Sequence, residues 1–200
     1  MAITLDTNRG WETEQPPRPG INEPNQTVAY SLGPVTEGDT SEGLDAVLWG
    51  CYISLDGKVY TSRRLDGAWE EWVEKLTLVE PVRSLALEFD VDGWPMIGYV
   101  RKNRSYGIWY RTTPGIPQLV DLGTGADNFL AVKQSQRHPV LLQFTEVFMV
   151  YTRNKNTCCV RRSSDNFATE ETLQISQNKP IWVARLARDA ERGLQIEVRG

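Results

Sequence analysis

Two hundred residues with 40% apolar content are enough to bury a core and are compatible with one all-β domain. The 22 basic and 26 acidic residues leave a net charge of −4, which provides no basic field for nucleic acid and no polybasic face for a membrane surface. No apolar run approaches the roughly 18 residues of a membrane-spanning helix. The start Met1-Ala2-Ile3-Thr4-Leu5-Asp6 has neither the basic nor the apolar part of a signal peptide, so synthesis in a cytosol is expected.

Residues 1–26 carry no periodic apolar face. Pro16, Pro17, Pro19 and Pro24 favour an extended, polyproline-like path. Ile3, Leu5, Trp11 and Ile21 are its apolar anchors. Together with Pro16 and Pro17 they form the candidate contact set of an arm lying along a neighbouring subunit, the alternative being a loosely draped terminus. Residues 27–200 read as one all-β repeat domain. It opens on the partial strand pattern Thr27 to Leu32, and a polar loop follows at Glu37 to Gly43.

Three stretches further on are worn copies of one unit: Tyr52 to Ser62, Tyr99 to Thr112 and Tyr151 to Ser163. Each has a Tyr-led alternation of apolar and polar residues, a polar turn, a second alternating run and a breaker. A spacing of about fifty residues is that of propellers and other repeat arrays. One such unit cannot bury its own apolar face, so function is expected on surfaces that several units build together. Leu85 to Arg101 repeats the strand-turn-strand step of Val183 to Arg199. In the latter, Trp182, Leu186 and Ala190 also fit a short helix, but the repeat register favours strands. Trp69 and Trp72 are expected to pack within one repeat, with Trp94 exposed at a loop tip.

Catalytic signals are sparse. His138 is the single histidine and precedes a proline at a strand entry; with no Ser or Cys in a nucleophile-elbow sequence nearby and no His-rich or Cys-rich ligand set, triads and zinc sites are not expected. Asp121 to Asp127 lacks the Lys-Ser/Thr of a phosphate loop. Asp90 with Asp92, and Asp121 with Asp127, read as turn carboxylates rather than paired catalytic acids or calcium ligands, because each pair falls in a glycine-containing strand-to-strand connection. Cys51, Cys158 and Cys159 read as small buried residues, with a bridge from Cys51 to Cys158 or Cys159 as the alternative. Neither a metal nor a cofactor is expected.

The breakers Leu65-Asp66-Gly67-Ala68-Trp69 and Ser164-Asp165-Asn166-Phe167-Ala168-Thr169 resemble the Asp-box turn of sialidase-type propeller repeats. The resemblance spans Asp45 to Gly200 and implies a carboxylate capping the backbone N–H groups of a turn, with an aromatic packed beneath. Runs such as Phe89 to Tyr99 and Gly107 to Thr113 resemble degenerate propeller-like repeats of tailed-bacteriophage virion proteins.

The expected fold is therefore an all-β, propeller-like array of about 3.5–4 repeats with an extended N-terminal arm, a β-sandwich being the alternative. The resemblance implies a non-catalytic virion structural protein of tail, fibre or head decoration. It would be a homo-oligomer assembled with other virion proteins through its arm. The first alternative is a lectin-like propeller, with Trp94, Trp109 and Arg111 as candidate residues for a host surface glycan. The second is a degenerate glycosidase. Sialidase chemistry needs converging arginines and a Tyr nucleophile with a Glu partner, for which Arg101, Arg153 and Arg199 with Tyr99 or Tyr151 are the candidates. Against it, no Arg-Ile-Pro-like motif is present.

Overall fold

The computed structural model describes residues 28–33, 47–54, 56–65, 68–79, 81–90, 93–111, 116–136, 145–176, 180–181, 183–189 and 193–199. The arm of residues 1–26, with Ile3, Leu5, Trp11, Pro16, Pro17 and Ile21, lies outside these residues, as do Asp92, His138 and Trp182. Among the described residues the regular structure is β-strand, apart from a single 3-10 turn at Ser163–Asp165. No helix among them is long and apolar enough to cross a membrane.

The strands form four antiparallel sheets in chain order. The first joins β1 (Val28–Gly33), β2 (Val47–Ile53) and β3 (Lys58–Leu65), with β4 (Ala68–Trp69) and β5 (Val73–Thr77) both on the far edge of β3. The second is β6 (Val82–Phe89), β7 (Pro95–Arg101), β8 (Ser105–Tyr110) and β9 (Gln118–Thr124). The third is β10 (Asn128–Gln136), β11 (Thr145–Arg153), β12 (Thr157–Arg162) and β13 (Glu171–Ile175). The fourth pairs β14 (Val183–Asp189) with β15 (Gly193–Arg199). Residues 183–189 thus form a strand, and the helical reading of that stretch is not realised.

The second and third sheets are meanders in which neighbours in sequence are neighbours in space, and the first follows the same order except that β4 and β5 share the edge of β3. The first strand of each sheet packs on that of the next, β1 on β6, β6 on β10 and β10 on β14. The sequence repeat falls on one position of this pattern. Tyr52, Tyr99 and Tyr151 sit near the end of the second strand of their sheets, all buried. The turn that follows each is where the backbone enters the left-handed region, at Gly57, Arg104, and Asn154 with Lys155. Polar or glycine residues at these places are what such turns require.

Strand alternation distributes the core. Cys51, Ile53 and Val59 of the first sheet meet Leu85, Leu87, Ile97 and Tyr99 of the second. The opposite side of the second sheet, with Met96, Val100, Tyr106, Ile108 and Tyr110, meets Phe129, Met149 and Tyr151 of the third. Phe148, Val150, Cys158 and Val160 fill the far face of the third sheet with Ile181. Gly98 is the close approach between the second and third sheets, for a Cβ there would occupy the space of the Phe129 ring.

The three cysteines are free and buried, so the bridge from Cys51 is not formed. Cys158 and Cys159, adjacent in β12, serve different clusters. Burial pushes the Cys51 thiol up to about 12 and those of Cys158 and Cys159 to about 11.

Candidate functional site

The turn between β6 and β7 brings Trp94 and Arg111 together. Phe89 pairs with Pro95 across the hairpin, and Gly93 supplies the positive φ, 81°, that the reversal needs. The Asp90 N–H donates to the Trp94 carbonyl at 2.8 Å, and the Gly93 N–H donates to the Asp90 carbonyl at 3.1 Å. The Asp90 carboxylate does two further things. Its Oδ1 accepts the Trp94 N–H at 2.8 Å. Its Oδ2 takes both Nε and Nη2 of Arg111, each at 3.1 Å.

The Asp90 and Arg111 side chains are only 4% and 8% exposed, so the pair is shielded from solvent and each charge depends on the other. The Arg111 guanidinium lies 4.8 Å from the centroid of the Trp94 ring, within cation–π range. The ring itself stays 46% exposed. The result is an indole platform at a loop tip, backed by a cation that is fixed by a buried carboxylate. Asp90 was legible as a turn carboxylate, but its hold on Arg111 depends on a contact across 21 residues. Trp109, two residues before Arg111 on β8, is half-buried against the core shared by the first two sheets. The structure thus brings Trp94 and Arg111 together and sets Trp109 apart from them, half-buried against the core.

A second polar cluster lies where the second and third sheets meet. Tyr106 donates to the Tyr151 hydroxyl at 3.0 Å, and Tyr151 donates to the Glu170 carboxylate. Arg161 Nε reaches the Tyr151 hydroxyl at 3.0 Å, and Arg153 Nε meets Glu170 at 2.8 Å. Tyr151 is completely buried. Burial first, then the Glu170 hydrogen bond, push its hydroxyl far above the ordinary tyrosine value, a shift away from a nucleophilic phenolate. One repeat earlier, Tyr99 and Arg101 share Asp121. The Tyr99 hydroxyl donates to it at 3.3 Å, Arg101 Nη1 lies 3.2 Å from it, and burial pushes the Tyr99 hydroxyl up to about 12.

The same device, a Tyr-x-Arg pair closing on a carboxylate near the outer edge of its sheet, therefore occurs in two successive sheets. Asp121, expected in a turn, is a residue of β9. Asp127 does lie in a connection, where its carboxylate accepts the Lys155 N–H at 2.9 Å and pairs with Arg104 at 3.1 Å. Arg199 ends β15. Among the described residues no group of three or more potential metal ligands is gathered.

The turn after β12 has the capped geometry expected from its sequence. Asp165 accepts the N–H groups of Ala168 at 3.2 Å and Thr169 at 2.8 Å. Phe167 is fully buried beneath, edge-on to Tyr110 at 5.4 Å.

No family model matches the chain, and no curated protein matches it. A triple arginine-to-alanine mutant of AofleA from Arthrobotrys oligospora is similar in structure over 76% of this chain and 44% of that chain, with 10% identity and a TM-score of 0.47. The chain thus spans less than half the length of that protein.

Proposed function

We propose that the chain is a non-catalytic structural protein of a tailed-bacteriophage virion, a component of tail, fibre or head decoration present in several copies. Its sheets act as blades of an incomplete propeller, and residues 1–26 tie each copy to its neighbours. The observation that supports this reading is the succession of meanders. Three sheets of one pattern use their faces to pack on each other, and charged groups within the second and third, Asp90 with Arg111 and Glu170 with Arg153, pair with one another. Such an array offers surfaces rather than a reactive cleft. Quantitative mass spectrometry of purified particles tests it. The chain should be recovered in fixed ratio to the major virion proteins, and its absence from particles would overturn the reading.

One observation favours a second role on the same scaffold, recognition of a host surface glycan. Trp94 presents a half-exposed indole over a fixed cation, and stacking of sugar rings on such platforms is a common basis of carbohydrate recognition. A glycan array with the purified chain should give signals that Trp94→Ala removes. A blank array would leave the scaffold role alone.

A further inference from the structure

We propose that the outer face of the first sheet is the docking site for the proline-rich segment Gln15 to Gly20 of a second copy of this chain. The proposal rests on the reading of residues 1–26 as an assembly arm, and names the surface that the arm engages.

The second and third sheets bury apolar residues on both faces, whereas the first sheet contributes to the core through one. Its other face carries a continuous row of rings. Tyr30 lies 6.1 Å from Trp69, Trp69 stacks on Trp72 at 5.3 Å, Trp72 meets Tyr52 edge-on at 4.9 Å, and Tyr52 stacks on Tyr60 at 5.3 Å. Tyr30 is 46% exposed, and Trp69, Trp72 and Tyr60 are half-buried.

Gly50 lies under this row. A Cβ there would stand 2.9 Å from the Trp69 ring and 3.3 Å from that of Tyr30, so the absence of a side chain is what lets the indole lie flat on the strand. Partly exposed rings held side by side form the kind of surface that receives polyproline segments, whose preformed backbone loses little entropy on binding.

The chain itself contains the matching ligand. Gln15-Pro16-Pro17-Arg18-Pro19-Gly20 holds three prolines around one cation, and Glu71, exposed and next to Trp72 in sequence, carries the opposite charge. Pro16, Pro17, Pro19 and Pro24 restrict the segment to extended backbone, and the reading of residues 1–26 as an assembly arm assigns it to a second copy. In such a contact each copy both gives an arm and receives one, reciprocally in a dimer or onward in a ring or filament.

Sedimentation of the full-length chain over a wide concentration range tests the inference. The wild type should self-associate reversibly. Trp69→Ala should weaken association about tenfold or more. The exposed-site change Glu71→Lys should weaken it several-fold, and combining it with Arg18→Glu should restore it. The Glu71 pair carries the test if Trp69→Ala fails to fold.

A wild type that stays monomeric at every concentration would overturn the proposal, whether the face then takes its own arm or another ligand. Association that resists Trp69→Ala and Glu71→Lys but is lost in the double change Pro16→Ala, Pro17→Ala would sink this docking face while keeping the arm. Association that survives all of them would sink both.

Discussion

Two turns of this protein are built from the same materials and end up opposite. The turn at Asp90 and the turn at Asp165 each use a carboxylate to accept backbone N–H groups, and each carries an aromatic within four residues. At Asp165 the aromatic points inward. Phe167 is fully buried against Tyr110, and the carboxylate above it is exposed. At Asp90 the aromatic points outward. Trp94 is 46% exposed, while the carboxylate is buried with Arg111. What differs is the partner. Asp165 is satisfied by near neighbours in sequence, the N–H groups of Ala168 and Thr169 and the Thr169 side chain, so it can remain in water. Asp90 also accepts the N–H groups of the Arg111 guanidinium, just past the end of β8, which draws the charge into the protein and leaves the ring on the surface as its cover. A carboxylate at a turn can thus cap or anchor, depending on what the neighbouring strand delivers.

The contrast is broken most severely at Asp90. Asp90→Ala strands the Arg111 guanidinium in a site only 8% exposed, and removing one member of a buried pair costs about 3–5 kcal/mol. Urea unfolding should show a loss of that size, and adding Arg111→Met should recover part of it. A loss below about 1 kcal/mol would mean that the pair behaves as a solvated surface bridge.

Phe167→Ala comes next. Deleting a buried aromatic costs roughly 3 kcal/mol or more, but Phe167 holds a positive φ of 58°, unfavourable for a bulky residue. Phe167→Gly should therefore be less damaging than the side-chain loss alone predicts, and the difference between the two variants measures that strain.

How much of this was legible beforehand depends on range. The Tyr-led repeats and the strand reading of residues 183–199 follow from alternation, a local property, and β2, β7 and β11 carry the tyrosines in equivalent places. The capped turn at Asp165 is likewise local, its donors lying within four residues. The Asp90–Arg111 pair is not. The spacing gives no sign of it, since contact across a meander is set by strand register. The half-buried position of Trp109 against the core is not legible for the same reason, because a tryptophan on a strand looks alike in sequence whether it faces the core or solvent. Gly50 and Gly98 were the unused signals. A glycine inside a strand marks close approach by a neighbour, here Trp69 and Phe129.

The two carboxylates should also part company in acid. Hydrogen bonding from Thr169 holds the Asp165 carboxyl below its ordinary value. A depressed folded value means that the contribution to stability is present above the unfolded carboxylate range, about pH 4, and fades as pH falls through the lower folded value. The stability difference between wild type and Asp165→Asn should therefore be larger at neutral pH than at about pH 3. A constant difference across that window would show that the carboxylate is not the acceptor that matters.

The smallest effect on stability is expected at Trp94, and it separates the two turns most sharply. About half of Trp94 stays in water, at 46% exposed, and its contact with Arg111 at 4.8 Å is a partly exposed cation–π pair worth about 0.5–1 kcal/mol. Trp94→Ala should therefore leave unfolding free energy within about 1 kcal/mol of wild type, where Phe167→Ala does not. If the platform binds sugar, the same change removes stacking worth roughly 1–3 kcal/mol, about 5- to 150-fold in affinity. Trp94→Phe should retain part of the binding, since the ring face survives. Arg111→Lys should lower stability through the Asp90 pair, because an ammonium cannot reproduce the planar two-nitrogen contact. A Trp94→Ala variant as unstable as Phe167→Ala would show that both aromatics are structural and that no platform exists at Asp90.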